Sequence, residues 1–173
     1  MIPTEDQAKQ LWKKYRLPRQ KRIHVLQVSK VALYIARKFT VNSGLLLAAA
    51  LLHDIDKGVS PLPGELHPDT AVRILRDEGY HEVADVVLTH PLHAILDPKI
   101  SPKTLEQKIL YLADKMVKYD IVGVDGRFAL WNNEHLPPEA QKILNETYPK
   151  VKKLEQEVFS LAGITLTDIA KFA

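Results

Sequence analysis

An all-α fold, a helical bundle with a C-terminal helical appendage, is the expectation for this chain, and three observations carry it. Apolar residues recur at three- and four-residue spacing through most of the sequence. No segment alternates apolar and polar residues over a useful length, so strands are not expected. One run, residues 45–52, is apolar nearly all round, as a helix at the centre of a bundle must be, and it ends abruptly in His53-Asp54.

The elements follow in order. Thr4 can cap a first helix that reaches Arg16, and Leu17-Pro18 ends it. Residues 20–39 place Ile23, Leu26, Val28, Val31, Tyr34 and Ile35 on a broad apolar stripe, the pattern of a second helix. Asn42 or Ser43 starts the third, which is expected to reach His53-Asp54. Residues 58–65, with Gly58, Pro61, Pro63 and Gly64, read as a loop. His67-Pro68-Asp69 opens a helix carrying Ala71, Val72, Ile74 and Leu75 that stops at Gly79, because proline is tolerated in a first turn. A short helix over residues 81–89 follows, then an irregular connection marked by Pro91, Pro98 and Pro102. Residues 103–118 align Leu105, Ile109, Leu112 and Met116 on one face. Residues 122–126 read as a loop, Pro137-Pro138 begins a long amphipathic helix bent near Pro149, and Thr165 or Thr167 caps a terminal helix after Gly163.

Without internal repeat or linker, residues 1–173 are expected to form a single domain. Its polar core spans residues 18–120, and the helices of residues 126–173 pack as an appendage without functional side chains.

Composition narrows the chemistry. The absence of cysteine excludes disulfides, thiolate metal sites and a cysteine nucleophile. The N-terminal residues lack the apolar segment of a signal peptide. The longest apolar run is far below the about 20 residues that cross a bilayer. A cytoplasmic protein without membrane partner is therefore the expectation. A net charge of +3 with a basic stretch from Lys13 to Arg22 reads as a solvated helix face, since no aromatic platform accompanies it, and no nucleic-acid partner is expected.

The polar groups set into apolar helices are the candidate functional residues. His53-Asp54 closes the most apolar helix, and an aspartate at a helix C-terminus opposes the helix dipole. Asp114 follows Ile109-Leu110-Tyr111-Leu112-Ala113, and His24 lies beside the stripe of the second helix. Taken singly, each is compatible with a buried hydrogen bond. One shared metal accounts for them together, with His67 and His90 as further ligands. Imidazole and carboxylate donors suit Fe, Mn or Mg, and zinc less specifically.

His24, His53-Asp54 and Asp114 within Tyr111-Leu112-Ala113-Asp114-Lys115 resemble, in order, interval and helical context, the HD-domain superfamily of metal-dependent phosphohydrolases. His67 in His67-Pro68-Asp69-Thr70-Ala71 and His90 after Val86-Val87-Leu88-Thr89 resemble the extra ligands of members that hold two metals. Within the superfamily, Arg22-Ile23-His24, His53-Asp54-Ile55-Asp56-Lys57, His67, His90 and Asp114 look most like the bacterial symmetrical dinucleoside tetraphosphate hydrolases. The chain departs from that branch after Asp114, where an acidic residue, a proline and an arginine usually stand and Lys115-Met116-Val117-Lys118-Tyr119 stands here.

The resemblance implies two divalent ions per chain bridged by Asp54, about 3.5–4 Å apart, and a water activated to attack phosphorus. Asp54 and Lys57 are the catalytic candidates. Lys57 would neutralise charge on the phosphoryl oxygens, and Arg22 would hold a distal phosphate. Asp56 reads as an orienting group for Lys57 or water, or as a solvated turn residue, and His93 as a polar loop residue. The implied partner is a small phosphate substrate, a nucleotide, and a homodimer stays open. Two other readings remain: a di-iron oxygenase of the same fold, which uses the same ligand set, and a nucleotide-binding regulatory module.

Overall fold

The computed structural model describes residues 1–172, and among them there are nine α-helices and no strand. The first helix, α1 (Glu5–Lys14), opens with a capping box: Thr4 Oγ1 accepts from the Gln7 amide while the Gln7 side chain accepts from the Thr4 amide. Leu17 and Pro18 then turn the chain into α2 (Arg19–Ala36), and Asn42 caps α3 (Ser43–Leu52) by accepting from the Leu45 amide. A 3-10 turn over Ile55–Gly58 follows. Next come α4 (Asp69–Asp77), α5 (His81–Val87), a second 3-10 turn over Leu92–Leu96, and α6 (Leu105–Asp114), which has a capping box of its own from Thr104 and Gln107. The last third forms α7 (Gly123–Asn132), α8 (Pro138–Ala162) and α9 (Leu166–Phe172).

The all-round apolar character of α3 is explained by its neighbours. It packs against α1, α2, α5 and α6, and every residue from Ala48 to Leu52 is buried. A helix enclosed on four sides has no solvent face to keep polar. Around it, α4 lies on α5 and the Ile55–Gly58 turn, while α8 braces α6, α7 and the Leu92–Leu96 turn. Gly58 marks the tightest approach. A Cβ there would sit 2.4 Å from the carbonyl oxygens of both Tyr15 and Arg16, so only glycine lets the turn after His53-Asp54 rest on the end of α1.

Several boundaries differ from expectation, with consequences for the centre of the molecule. The third helix stops at Leu52, not at Asp54, so His53 is its C-cap and Asp54 begins the turn. The expected loop over residues 122–126 is largely helix, since α7 starts at Gly123. Two glycines lower the helical propensity there, but burial of Val124 and Phe128 outweighs it. Gly123 itself has a φ of 72°, which leads the chain into α7. The long helix α8 passes through Pro149 and ends at Gly163, whose φ of 62° is the usual left-handed C-cap.

Candidate metal centre

Four histidines and three aspartates converge from six places in the chain. His24 comes from the second turn of α2, His53 and Asp54 from the end of α3, Asp56 from the following turn, His67 from just before α4, His90 from just beyond α5, and Asp114 from the last residue of α6. Helix ends supply most of them, because there a side chain can leave the packed stripe without opening a hole in it.

Each imidazole is anchored through Nδ1. In His24 this atom donates to the Lys118 carbonyl at 2.8 Å, in His53 to the Ala50 carbonyl at 2.9 Å, and in His90 to the Val87 carbonyl at 2.6 Å. In His67 it donates to Asp56 Oδ2 at 2.7 Å. Carbonyls and carboxylates only accept, so these partners place the proton on Nδ1 and leave a lone pair on Nε2.

All four Nε2 atoms then face one another or a carboxylate. His24 Nε2 lies 3.0 Å and His53 Nε2 3.4 Å from Asp114 Oδ1, and the latter nitrogen makes no hydrogen bond. His67 Nε2 lies 2.9 Å from His90 Nε2 and 3.9 Å from Asp54 Oδ1. Lone pairs opposed at such distances repel unless a proton or a metal cation lies between them. Ligands bonded to one ion at about 2.0–2.2 Å sit about 3 Å from their neighbours, the spacing seen here. Three overlapping groups could hold a metal: His24, His53 and Asp114; His53, Asp54 and His90; Asp54, Asp56 and His67. The sharing of His53 and Asp54 between groups makes room for more than one ion.

The carboxylates are held from behind. Lys21 Nζ donates to Asp54 Oδ2 at 2.8 Å, and Lys115 Nζ donates to Asp114 Oδ2 at 2.7 Å and to the His90 carbonyl. Each lysine therefore takes one oxygen and leaves Oδ1 turned toward the imidazoles. Burial raises the Asp54 and Asp114 carboxyl pKa values, but His53 and Lys21 around the first, and Lys115, His24 and His53 around the second, outweigh it and keep both ionised. Burial together with His53 and His67 holds His90 well below its ordinary value, hence neutral. Burial pushes His53 down as well, and Asp114 and Asp54 more than offset it. The ionised carboxylates and the neutral His90 are ready to bind metal, and a metal at His53 would displace the proton that Asp114 and Asp54 favour there.

A cavity of about 460 Å³ opens onto this cluster, and a second of about 490 Å³ lies beside it, sharing Lys21, His24, Lys57, Arg127 and Trp131 as walls. Lys57 Nζ is 4.0 Å from Asp54 Oδ1 and 3.7 Å from Asp56 Oδ2, at the mouth of the cluster.

The structure thus brings together His24, His53, Asp54, His67, His90, Asp114 and Lys57. Arg22 stands apart: its Nε donates to the Leu17 carbonyl at 2.8 Å, bracing the corner between α1 and α2, and it lines neither cavity. His93 lies on the cavity wall without joining any of the three ligand groups. Asp56 is buried, not a solvated turn residue, and it positions His67. The roles of Lys21 and Lys115 went unread in the sequence, although Lys115 adjoins Asp114 and interrupts an apolar segment. The C-terminal helices are also more than packing, because Arg127 and Trp131 of α7 reach the cleft.

A helical bundle with imidazoles and carboxylates gathered at its centre is a helical domain whose donor atoms could hold a metal. The HD domain family matches residues 22–118, more than half of the chain, and the chain belongs to that family. Among curated proteins it is similar to the tRNA (cytidine(56)-2'-O)-methyltransferase of Picrophilus torridus, at 29% identity over 98% of this chain and 50% of that protein. It is similar as well to the tRNA (cytidine(56)-2'-O)-methyltransferase of Thermoplasma volcanium, at 32% identity over 98% of this chain and 51% of that protein. The chain spans about half the length of these relatives. No solved structure matches. No helix among the described residues is long and apolar enough to cross a membrane.

Proposed function

We propose that the chain is a metal-dependent phosphohydrolase that cleaves a phosphate ester or anhydride of a nucleotide. The observation that carries the reading is the set of four imidazoles, each fixed through Nδ1 and each turning Nε2 onto Asp54, Asp114 or a neighbouring imidazole. His24, His53, Asp54, His67, His90 and Asp114 would hold two divalent cations. When bound, the ions would supply Lewis acidity and a water activated at neutral pH for attack at phosphorus.

The remaining work falls to the protein. The second layer of Lys118, Ala50 and Val87 carbonyls, with Asp56, fixes the imidazole planes and raises their basicity as ligands. Lys21 and Lys115 keep Asp54 and Asp114 ionised and oriented. Lys57, at the cavity mouth, is placed to neutralise charge that develops on phosphoryl oxygens. The narrower likeness to symmetrical dinucleoside tetraphosphate hydrolases supports a nucleotide as the substrate. The methyltransferase activity is named for proteins about twice as long as this chain, of which it matches half, whereas the imidazole and carboxylate cluster is a donor set suited to a metal and a hydrolytic water.

The test is elemental analysis of protein purified without chelator, paired with a screen of nucleotide phosphates in the presence of Fe, Mn, Mg or Co. Asp54→Ala should remove metal and turnover together. A parent protein without bound metal and without phosphate release, or an Asp54→Ala variant with full metal and full turnover, overturns the reading.

A further inference from the structure

The cations on the walls of the cleft are not equivalent. Lys21 pairs with Asp54, Lys57 lies near both Asp54 and Asp56, Lys115 pairs with Asp114, and Lys118 Nζ lies 3.9 Å from Glu134. Arg127 makes no ion pair among the described residues. Its Nε and Nη1 are shielded from solvent and have no acceptor there. The side chain is nevertheless held in place. Its guanidinium carbon lies 4.1 Å from the centroid of the Trp131 ring, one turn further along α7, and that ring packs edge-on against Phe128 at 5.2 Å.

A guanidinium cannot shed its charge. Fixed, partly desolvated and without a counter-ion, it is an anion receptor awaiting its anion. It lines both cavities, so it stands where the space around the imidazole cluster meets the outer space bounded by Tyr119 and Glu134. Each cavity is larger than one phosphate needs, and Trp131 and Tyr119 line the outer one.

We propose that Arg127 receives a second phosphate of the substrate, so that the substrate class is nucleoside oligophosphates and not monophosphate esters. The inference rests on the phosphohydrolase reading above. One phosphoryl group would lie at the imidazole and carboxylate cluster, the next against the Arg127 guanidinium, and the nucleoside would extend into the outer cavity.

Binding can be read on the full chain with its metals in place, with methylene-substituted analogues that resist hydrolysis standing in for AMP and ADP. Of the two tryptophans, Trp12 is buried with Nε1 bonded to the Leu51 carbonyl, so Trp131 is the one placed to report on the cleft. Tryptophan fluorescence titrated with AMP and with ADP should give affinity for ADP higher by about tenfold. In Arg127→Met, which keeps the aliphatic stem, that margin should vanish. Arg127→Gln gives the same reading if the methionine variant does not fold. Equal AMP and ADP affinities in the parent, or a margin that survives both substitutions, overturns the proposal. The two readings fail separately. Phosphate release that is indifferent to Arg127 retains the hydrolase and removes the receptor; an Arg127-dependent ADP margin in a chain that hydrolyses nothing does the reverse.

Discussion

The inner wall of the cleft and its outer wall are built on opposite plans. On the inner wall, between α2 and α6, nearly every polar group has a partner behind it: imidazole nitrogens on carbonyls and on Asp56, carboxylate oxygens on Lys21 and Lys115. On the outer wall, α7 presents Arg127 with a stacking partner and no acceptor for Nε or Nη1. The first arrangement fixes ligand geometry before anything binds, which removes the ordering cost from the binding step. The second leaves interaction energy unspent until a ligand arrives. A site that must hold its metals permanently and release its substrate each cycle has use for both.

The largest expected effect comes from dismantling part of the inner wall. Replacing His67 and His90 together with alanine should leave about one metal per chain by elemental analysis and lower turnover by orders of magnitude, since His24, His53, Asp54 and Asp114 remain for a single ion. Full metal content with normal turnover would make both histidines dispensable and erase the contrast between the walls. A step smaller, Asp56→Ala should weaken metal binding by about 10–100-fold, the usual cost of losing the partner of a ligating imidazole. Competition with a chelator measures it, and Asp56→Asn, which retains an acceptor for the His67 Nδ1 proton, should recover part of the loss.

Below these comes a change in the support under the site. Gly58→Ala should destabilise the fold by about 1–3 kcal/mol through overpacking, read as a shift in the denaturant midpoint, because the new methyl group meets backbone on α1. Metal stoichiometry in the folded fraction should not change, which would separate scaffold from ligand set. The smallest effect lies remote from both walls. Glu78 accepts from Lys14 and from the Tyr15 hydroxyl, and the Lys14 bond foremost holds its carboxyl below the ordinary carboxylate value. A lowered folded pKa adds stability above the unfolded value, about 4.3, and that stability is lost as pH falls through the folded value. The melting temperature of Glu78→Gln should therefore lie slightly below the parent at pH 7 and converge on it in acid. A difference that is constant across pH would exclude the ion pair as its source.

The cluster of candidate ligands was legible because burying a charged or polar side chain in an apolar helix is costly, and His53, Asp54 and Asp114 each interrupt or end such a helix. The core was legible for the same reason, in residues 45–52 above all. What escaped reading depends on contacts that no local pattern encodes. Asp56 looks like any turn carboxylate until His67, eleven residues on, folds back onto it. Arg22, near His24 in the sequence, points instead to the Leu17 carbonyl, since residues two apart on a helix face different ways. Helix α7 was hidden by its two glycines, and with it Arg127 and Trp131, whose meeting with α2 and the Ile55–Gly58 turn is purely tertiary.

The bond between His24 Nδ1 and the Lys118 carbonyl spans 94 residues, and it sets a timetable for biosynthesis. At typical elongation rates of about 5–20 residues per second, His24 leaves the ribosome roughly 5–20 s before the carbonyl that will fix its tautomer. For most of that interval His53 and Asp54 are already made and Asp114 is not. A nascent chain that met a tightly binding ion then would offer it an incomplete set of donors, and the full candidate set exists only once Asp114 and Lys118, four residues apart, have both been made.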